Sequence, residues 1–292
     1  MTAPTGTGMT WIEVSVSVLP RRSDRAGDLL LRYCPQGFAE AGASRDRRLL
    51  RVYLPSNAAG RLLLTHLRRD LVRTVAPVTI EDRPVVDDHW LGAWKAHARP
   101  IHIGRLAVLP TWMAGARVRG RTLVGLDPGM AFGSGEHPST QLCLAAIERH
   151  VRRGFTVIDV GTGSGILAIA AARLGARRVL GIDNDPVAVA VARENVRANR
   201  VADQVSIRDG DNLARVRLRA ELIVANLTAD ALPGIVADVP RRLAPGGRFV
   251  GSGFGAARVS EVERTLAAAG LRPIRVDRLR GWRAVHAVAA SR

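Results

Sequence analysis

The chain is poor in aromatic residues and cysteine, and it contains no long apolar run. Aromatics make up 4% of its 292 residues, so a core has to be built mainly from Ala, Val, Leu and Ile. The two cysteines, Cys34 and Cys143, stand far apart with no His or Cys at ligand spacing. That argues against a disulfide framework and suggests no metal site; both read as small buried hydrophobes. No apolar run reaches the roughly 18 residues of a membrane span. Residues 1–10 are polar and lack the basic and apolar regions of a secretory signal. A cytoplasmic protein without membrane association, and a monomer, is the expectation. Acidic residues are also in deficit, 26 against 43 basic ones, for a net charge of +17. Nearly all the excess is arginine, spread along the chain. It fits either an acidic partner such as RNA or a solvated arginine-rich surface.

Hydrophobic residues account for 47% of the chain, ordinary for a protein with a real core. The length suits one large domain or two smaller ones. Over residues 1–83 the pattern reads β-α-β-β-α-β. Ile12, Val14, Val16 and Val18 alternate with polar residues as in a half-buried strand. Helices are expected at 24–34 and 58–72, and further strands at 36–41, 49–54 and 78–81. That order is the ferredoxin-like arrangement. Residues 84–120 read as a packed connector carrying Trp90, Trp94 and Trp112, either as anchors between domains or as cleft lining. Residues 121–292 alternate strand and helix. Strands are expected at 156–160, 178–183, 204–208, 221–226, 247–252, 272–278 and 283–289. Helices are expected at 165–174, 186–199, 228–243 and 256–269. Repeated βα units imply a mainly parallel sheet covered on both faces; the last two strands, with only a short turn between them, imply an antiparallel hairpin.

The strongest signal is Val157-Ile-Asp-Val-Gly161-Thr-Gly163-Ser-Gly165-Ile166, a strand running into alternate glycines and then a small-residue helix. A second strand ends at Asp183. Such a unit holds an adenosine, with the acid accepting from ribose hydroxyls. The third glycine of a dinucleotide fingerprint is replaced by Ile166. A pyrophosphate also needs the helix N-terminus. The pattern therefore favours S-adenosylmethionine, which carries no phosphate. Gly161 and Gly163 approach the ligand, Asp183 binds the ribose, and Asp209 sits by the adenine. Asp159 either contacts the ligand or bonds loop amides.

Two further segments are more specific. One runs from Leu126-Asp127-Pro128-Gly129 through Phe132-Gly133-Ser134-Gly135-Glu136-His137-Pro138-Ser139-Thr140; the other is Val224-Ala225-Asn226-Leu227. With the glycine loop, and with Trp94-Lys95, His97 and Trp112 in the connector, they closely resemble the bacterial ribosomal protein methyltransferases that modify large-subunit protein eleven, the PrmA family. The resemblance covers most of the chain from residue 84 on and is weaker before it. It implies a class I S-adenosylmethionine-dependent methyltransferase fold, Rossmann-like with a mainly parallel seven-stranded sheet, behind an N-terminal ferredoxin-like domain that recognises the protein substrate. It implies cofactor contacts from Thr140, Gly161, Asp183 and Asn226. The chain departs from the usual family segment at Ser134, Glu136 and Ser139.

The chemistry so implied is attack by a neutral amine on the sulfonium methyl group. Asn226 is placed to accept from that amine or to contact the cofactor. It is followed by Leu227-Thr228 and not by a Pro-Pro-aromatic run, which favours a lysine or α-amine acceptor. His97 and His137 are candidate bases, with structural roles preferred. Two other readings stay open: an rRNA methyltransferase, suggested by the charge, and a non-catalytic RNA-binding or ribosome-assembly module.

Overall fold

The computed structural model describes residues 10–34, 38–44, 46–56, 58–86, 100–110, 118, 120–126 and 135–290. The connector tryptophans, His97 and residues 127–134 of the segment before Thr140 lie outside the described residues. The chain divides into two compact units, Met1–Ala98 and Arg99–Arg292.

The first unit contains β1 (Thr10–Val18), α1 (Ser23–Tyr33), β2 (Ala39–Ala43), β3 (Arg48–Pro55), α2 (Ala58–Val75) and β4 (Val78–Val86). Its sheet has the order β2-β3-β1-β4 and is antiparallel throughout, the expected ferredoxin-like topology. The period-two pattern of β1 turns Ile12, Val14, Val16 and Val18 toward Leu30, Leu67 and Leu71 of the helices, in one buried cluster. Glu13, on the opposite face, accepts from Tyr53 and Arg83, both at 2.9 Å. Burial opposes its ionisation, but these bonds and the charge of Arg51 hold its carboxyl below the usual range.

The second unit begins with β5 (Ile101–Ile103), β6 (Leu106–Pro110) and β7 (Thr122–Leu126), which form a separate three-stranded sheet. The sequence reading had placed the first two in the connector. Then follow α3 (Pro138–His150), β8 (Thr156–Val160), α4 (Ile166–Arg173), β9 (Arg178–Asp183), α5 (Pro186–Ala198), β10 (Val205–Asp209), β11 (Ala220–Asn226), α6 (Pro233–Val236), α7 (Val239–Arg242), β12 (Leu243–Gly255), α8 (Val259–Ala268), β13 (Leu271–Leu279) and β14 (Trp282–Ala289). The main sheet runs β10-β9-β8-β11-β12-β14-β13. Pairing is parallel as far as β12, and β14 is antiparallel to both its neighbours.

The strand β8 is buried at every position, as a strand covered on both faces has to be. One core layer joins α3 and α4 to β5–β7; the other lies beneath α6–α8. Within the first layer, Asn199 at the end of α5 ties that helix to β7, with Oδ1 accepting from Gly125 N at 2.9 Å and Nδ2 donating to Gly125 O at 2.6 Å. The single helix expected at 228–243 is instead two short ones, with Pro233 and Pro240 each in a first turn. A proline lacks the N–H that a continuous helix would need there.

Candidate active site

The C-terminal ends of β10, β9, β8 and β11 lie side by side, which places Asp209, Asp183, Gly161 and Asn226 along one rim of the sheet. This is where open α/β sheets bind ligands. Asp209 and Asp183 are register partners on neighbouring strands, so their carboxylates share a face. Asp209 is exposed and Asp183 half-buried.

The glycine loop turns on left-handed residues: φ is 71° at Gly161, 54° at Gly163 and 82° at Gly165. A side chain at Gly161 would also collide with Leu227, whose Cδ2 lies 2.5 Å from the added carbon. Gly161 N and Thr162 N both donate to Ile182 O, at 2.8 and 3.0 Å. Gly163 N donates to Asp183 Oδ2 at 2.8 Å, and Gly165 N to Thr162 O at 2.9 Å. These four amides are therefore already bonded within the protein.

Asp159 completes the loop from below. It is fully buried, and its Oδ2 accepts from Thr162 Oγ1 at 2.6 Å and from Ala168 N, in the first turn of α4, at 3.2 Å. A buried carboxyl group thus already occupies the start of this helix and takes its Ala168 amide. A pyrophosphate would meet that group and amides already bonded within the protein, so the loop suits an adenosine compound without phosphate. Burial chiefly, aided by the nearby Asp183 charge, raises the Asp159 carboxyl to about 7. Of the two roles considered for Asp159, bonding the loop is the one its contacts show.

Asp183 has two duties. Besides holding Gly163, it accepts from Asp185 N at 3.1 Å. A carboxylate has about four acceptor positions, so two remain for ribose hydroxyls. Asp185 caps α5, accepting from Val187 N at 2.8 Å ahead of Pro186.

Thr140 does not cap α3. That position belongs to His137, whose Nδ1 accepts from Ser139 N at 3.3 Å and lies 2.7 Å from Ser139 Oγ. Burial lowers the His137 pKa to about 4, and its ring stands edge-on to Trp282 at 4.3 Å. Its ring is therefore held neutral near pH 7, within the cap of α3. Thr140, fully buried in the first turn of α3, accepts from Asn226 Nδ2 at 3.1 Å. This bond joins two expected site residues 86 positions apart. Among the described residues, the buried Asn226 Oδ1 has no hydrogen-bond partner, which is costly unless a ligand supplies a donor. Glu136 is exposed, and its carbonyl accepts from Gln141 Nε2 at 2.9 Å.

Sequence reasoning named Leu227 only as the neighbour of Asn226, not as the side chain packed over Gly161, and it missed Gly253. Gly253 has φ of 103°, and any side chain there would come within 2.4 Å of Leu227 O. It marks a bulge in β12 that lets Leu227 N reach Ser252 O at 2.8 Å and so fixes the backbone after Asn226. β12 holds five glycines, Gly246, Gly247, Gly251, Gly253 and Gly255, and no sequence signal singles out Gly253 among them.

A parallel sheet with one antiparallel strand inserted at β14, and a phosphate-excluding glycine loop faced by Asp183, define a class I methyltransferase domain. The family profile described as ribosomal protein L11 methyltransferase (PrmA) matches residues 11–290. Relatives bearing that name occur in Symbiobacterium thermophilum, 39% identical over 306 residues, and Pelotomaculum thermopropionicum, 37% identical over 304 residues. Both comparisons cover 96% of this chain and 99% of the relative. The crystal structure of a ribosomal protein L11 methylase from Lactobacillus delbrueckii subsp. bulgaricus is similar to 66% of this chain and all of its own, with a TM-score of 0.62 and 33% identity. The chain belongs to the ribosomal protein L11 methyltransferase (PrmA) family.

Proposed function

We propose that the chain transfers methyl groups from S-adenosylmethionine to lysine or α-amino groups of large-subunit ribosomal protein eleven. The observation that carries the cofactor assignment is the bonded state of the glycine-loop amides around Asp159. The acceptor follows from membership of the family and from relatives that are similar to this chain over nearly their whole length.

S-adenosylmethionine supplies an electrophilic methyl group on a sulfonium centre. Asp183 holds the ribose, with Asp209 beside the adenine. Gly161 and Gly163 allow the amino-acid portion to lie against the backbone, and Thr140 orients Asn226. The orphaned Oδ1 of Asn226 accepts a hydrogen bond from the amine or from the cofactor. The protein's contribution is chiefly orientation, bringing nitrogen and methyl carbon to roughly 3–3.5 Å. A lysine amine starts near pKa 10.4 and has to shed its proton first; an apolar surround favours the neutral form.

The first unit, with its ferredoxin-like sheet, takes the role of recognising the protein substrate, and residues 84–120 link it to the catalytic unit. The protein acts in the cytoplasm as a monomer. Incubation with labelled methyl donor, purified protein eleven and rRNA tests the assignment. Label is expected in the protein; label confined to RNA would overturn it.

A further inference from the structure

Away from the cofactor rim, the second unit carries an open groove of about 450 Å³ lined by Arg105, Glu148, Arg149, Arg152, Arg153 and Leu174. It lies at the opposite end of α3 from Thr140. Thirteen residues of helix span about 20 Å, so the groove is remote from the methyl donor. The carboxylates at hand are engaged. Glu148 accepts from Arg105 N at 2.8 Å and Arg105 Nε at 3.0 Å. Asp277 pairs with Arg149 at 2.5 Å and Arg275 at 2.6 Å.

Arg152 reaches only the carbonyls of Arg149 and Val151. Among the described residues neither Arg152 nor Arg153 has a carboxylate partner. Both are exposed, as are Arg173, Arg177 and Arg178. The backbone brings these together: Gly154 N donates to Gly175 O at 3.0 Å, and Arg177 N to Phe155 O at 2.8 Å. Arginines scattered in sequence thus meet at the N-terminal edge of the sheet.

We propose that this groove and the adjoining arginines bind the phosphodiester backbone of RNA. Guanidinium forks match phosphate oxygens. A row of unpaired like charges suits a polymer with a charge at every repeat. Among the described residues the groove has no aromatic lining, so these offer bases nothing to stack on and the contact reads backbone, not sequence. The site is separate from methyl transfer and stands whatever the methyl acceptor proves to be.

The test is fluorescence anisotropy of the full chain with a labelled oligouridylate across a salt series. R152A/R153A is compared with R272A/R278A, which removes the same charge from exposed positions on β13. The groove variant is expected to bind about tenfold more weakly and to lose about 1.4 from the salt slope, at about 0.7 per phosphate contact on a single strand. The β13 variant should change little. Since Arg152 caps the end of α3, R153E is the second variant; it should weaken RNA binding while keeping the thermal midpoint and S-adenosylmethionine affinity. Equal losses in both double variants, no RNA binding at low salt, or equally strong competition by poly-glutamate would each overturn the proposal.

Discussion

Replacing Asp183 by alanine probes both ends of the site at once. In the free protein the carboxylate accepts from Gly163 N at 2.8 Å and from Asp185 N at 3.1 Å. The Asp185 amide is exposed and turns to water. The Gly163 amide is partly buried, so losing its partner costs about 1–3 kcal/mol. In a unit of this size that lowers the melting midpoint by about 3–10 °C. In the complex, two ribose hydroxyls also lose a charged acceptor, each bond being worth about 1.5–3 kcal/mol. The sum, at least about 3 kcal/mol, weakens binding at least about 150-fold. Asp183→Asn keeps an acceptor for Gly163, so its midpoint should stay near that of the parent while affinity still falls about tenfold or more. Differential scanning calorimetry without ligand and titration calorimetry with S-adenosylmethionine measure the two effects separately. An unchanged midpoint in the alanine variant would refute the role in holding the loop. Unchanged affinity would refute the ribose assignment.

Asp159 predicts a pH dependence. Its folded carboxyl lies near 7 against an ordinary 3.8, so between those values the folded state holds a proton that the unfolded state has lost. Stability from this group is present below about pH 4 and is lost as pH rises toward 7, by up to about 4 kcal/mol. Asp159→Asn should remove that slope, as read by denaturant unfolding across pH; an identical slope in the variant would contradict it. A double-mutant cycle on Thr140→Val and Asn226→Ala should give a coupling of about 1 kcal/mol in cofactor affinity, whereas strict additivity means their bond has no part in binding. Gly161→Ala combines a left-handed backbone with a clash on Leu227 and should destabilise by about 1–3 kcal/mol. Adding Leu227→Ala should relieve part of this, and failure to relieve any would leave the backbone as the whole cause.

The elements that carried clear periodicity were legible in the sequence. β8 and β9 have the bounds that their apolar runs gave, and α5 starts at Pro186, as expected. What escaped depended on contacts between distant segments. β5 and β6 are three and five residues long and are defined by pairing, β6 lying between β5 and β7. The break between α6 and α7 was announced by Pro233 and Pro240 but was outweighed by the apolar residues around them. In the site, Gly161, Gly163 and Asp183 were readable because they sit in one βαβ unit. That Thr140 meets Asn226 required the sheet order, whereas the Asp159 contacts to Thr162 and Ala168 are local and match one of its two expected roles. The arginine groove was invisible because its charges come from three separate stretches of chain, at 105, 149–153 and 173–178.

The central claim is amine methylation of large-subunit protein eleven, and mass spectrometry of that protein from cells with and without this gene tests it most directly. The account predicts added methyl groups at lysine or α-amino positions that vanish when the gene is removed and return with the intact gene, but not with its Asp183→Ala variant. Identical protein eleven in both strains, with methylation lost from another component, would contradict it.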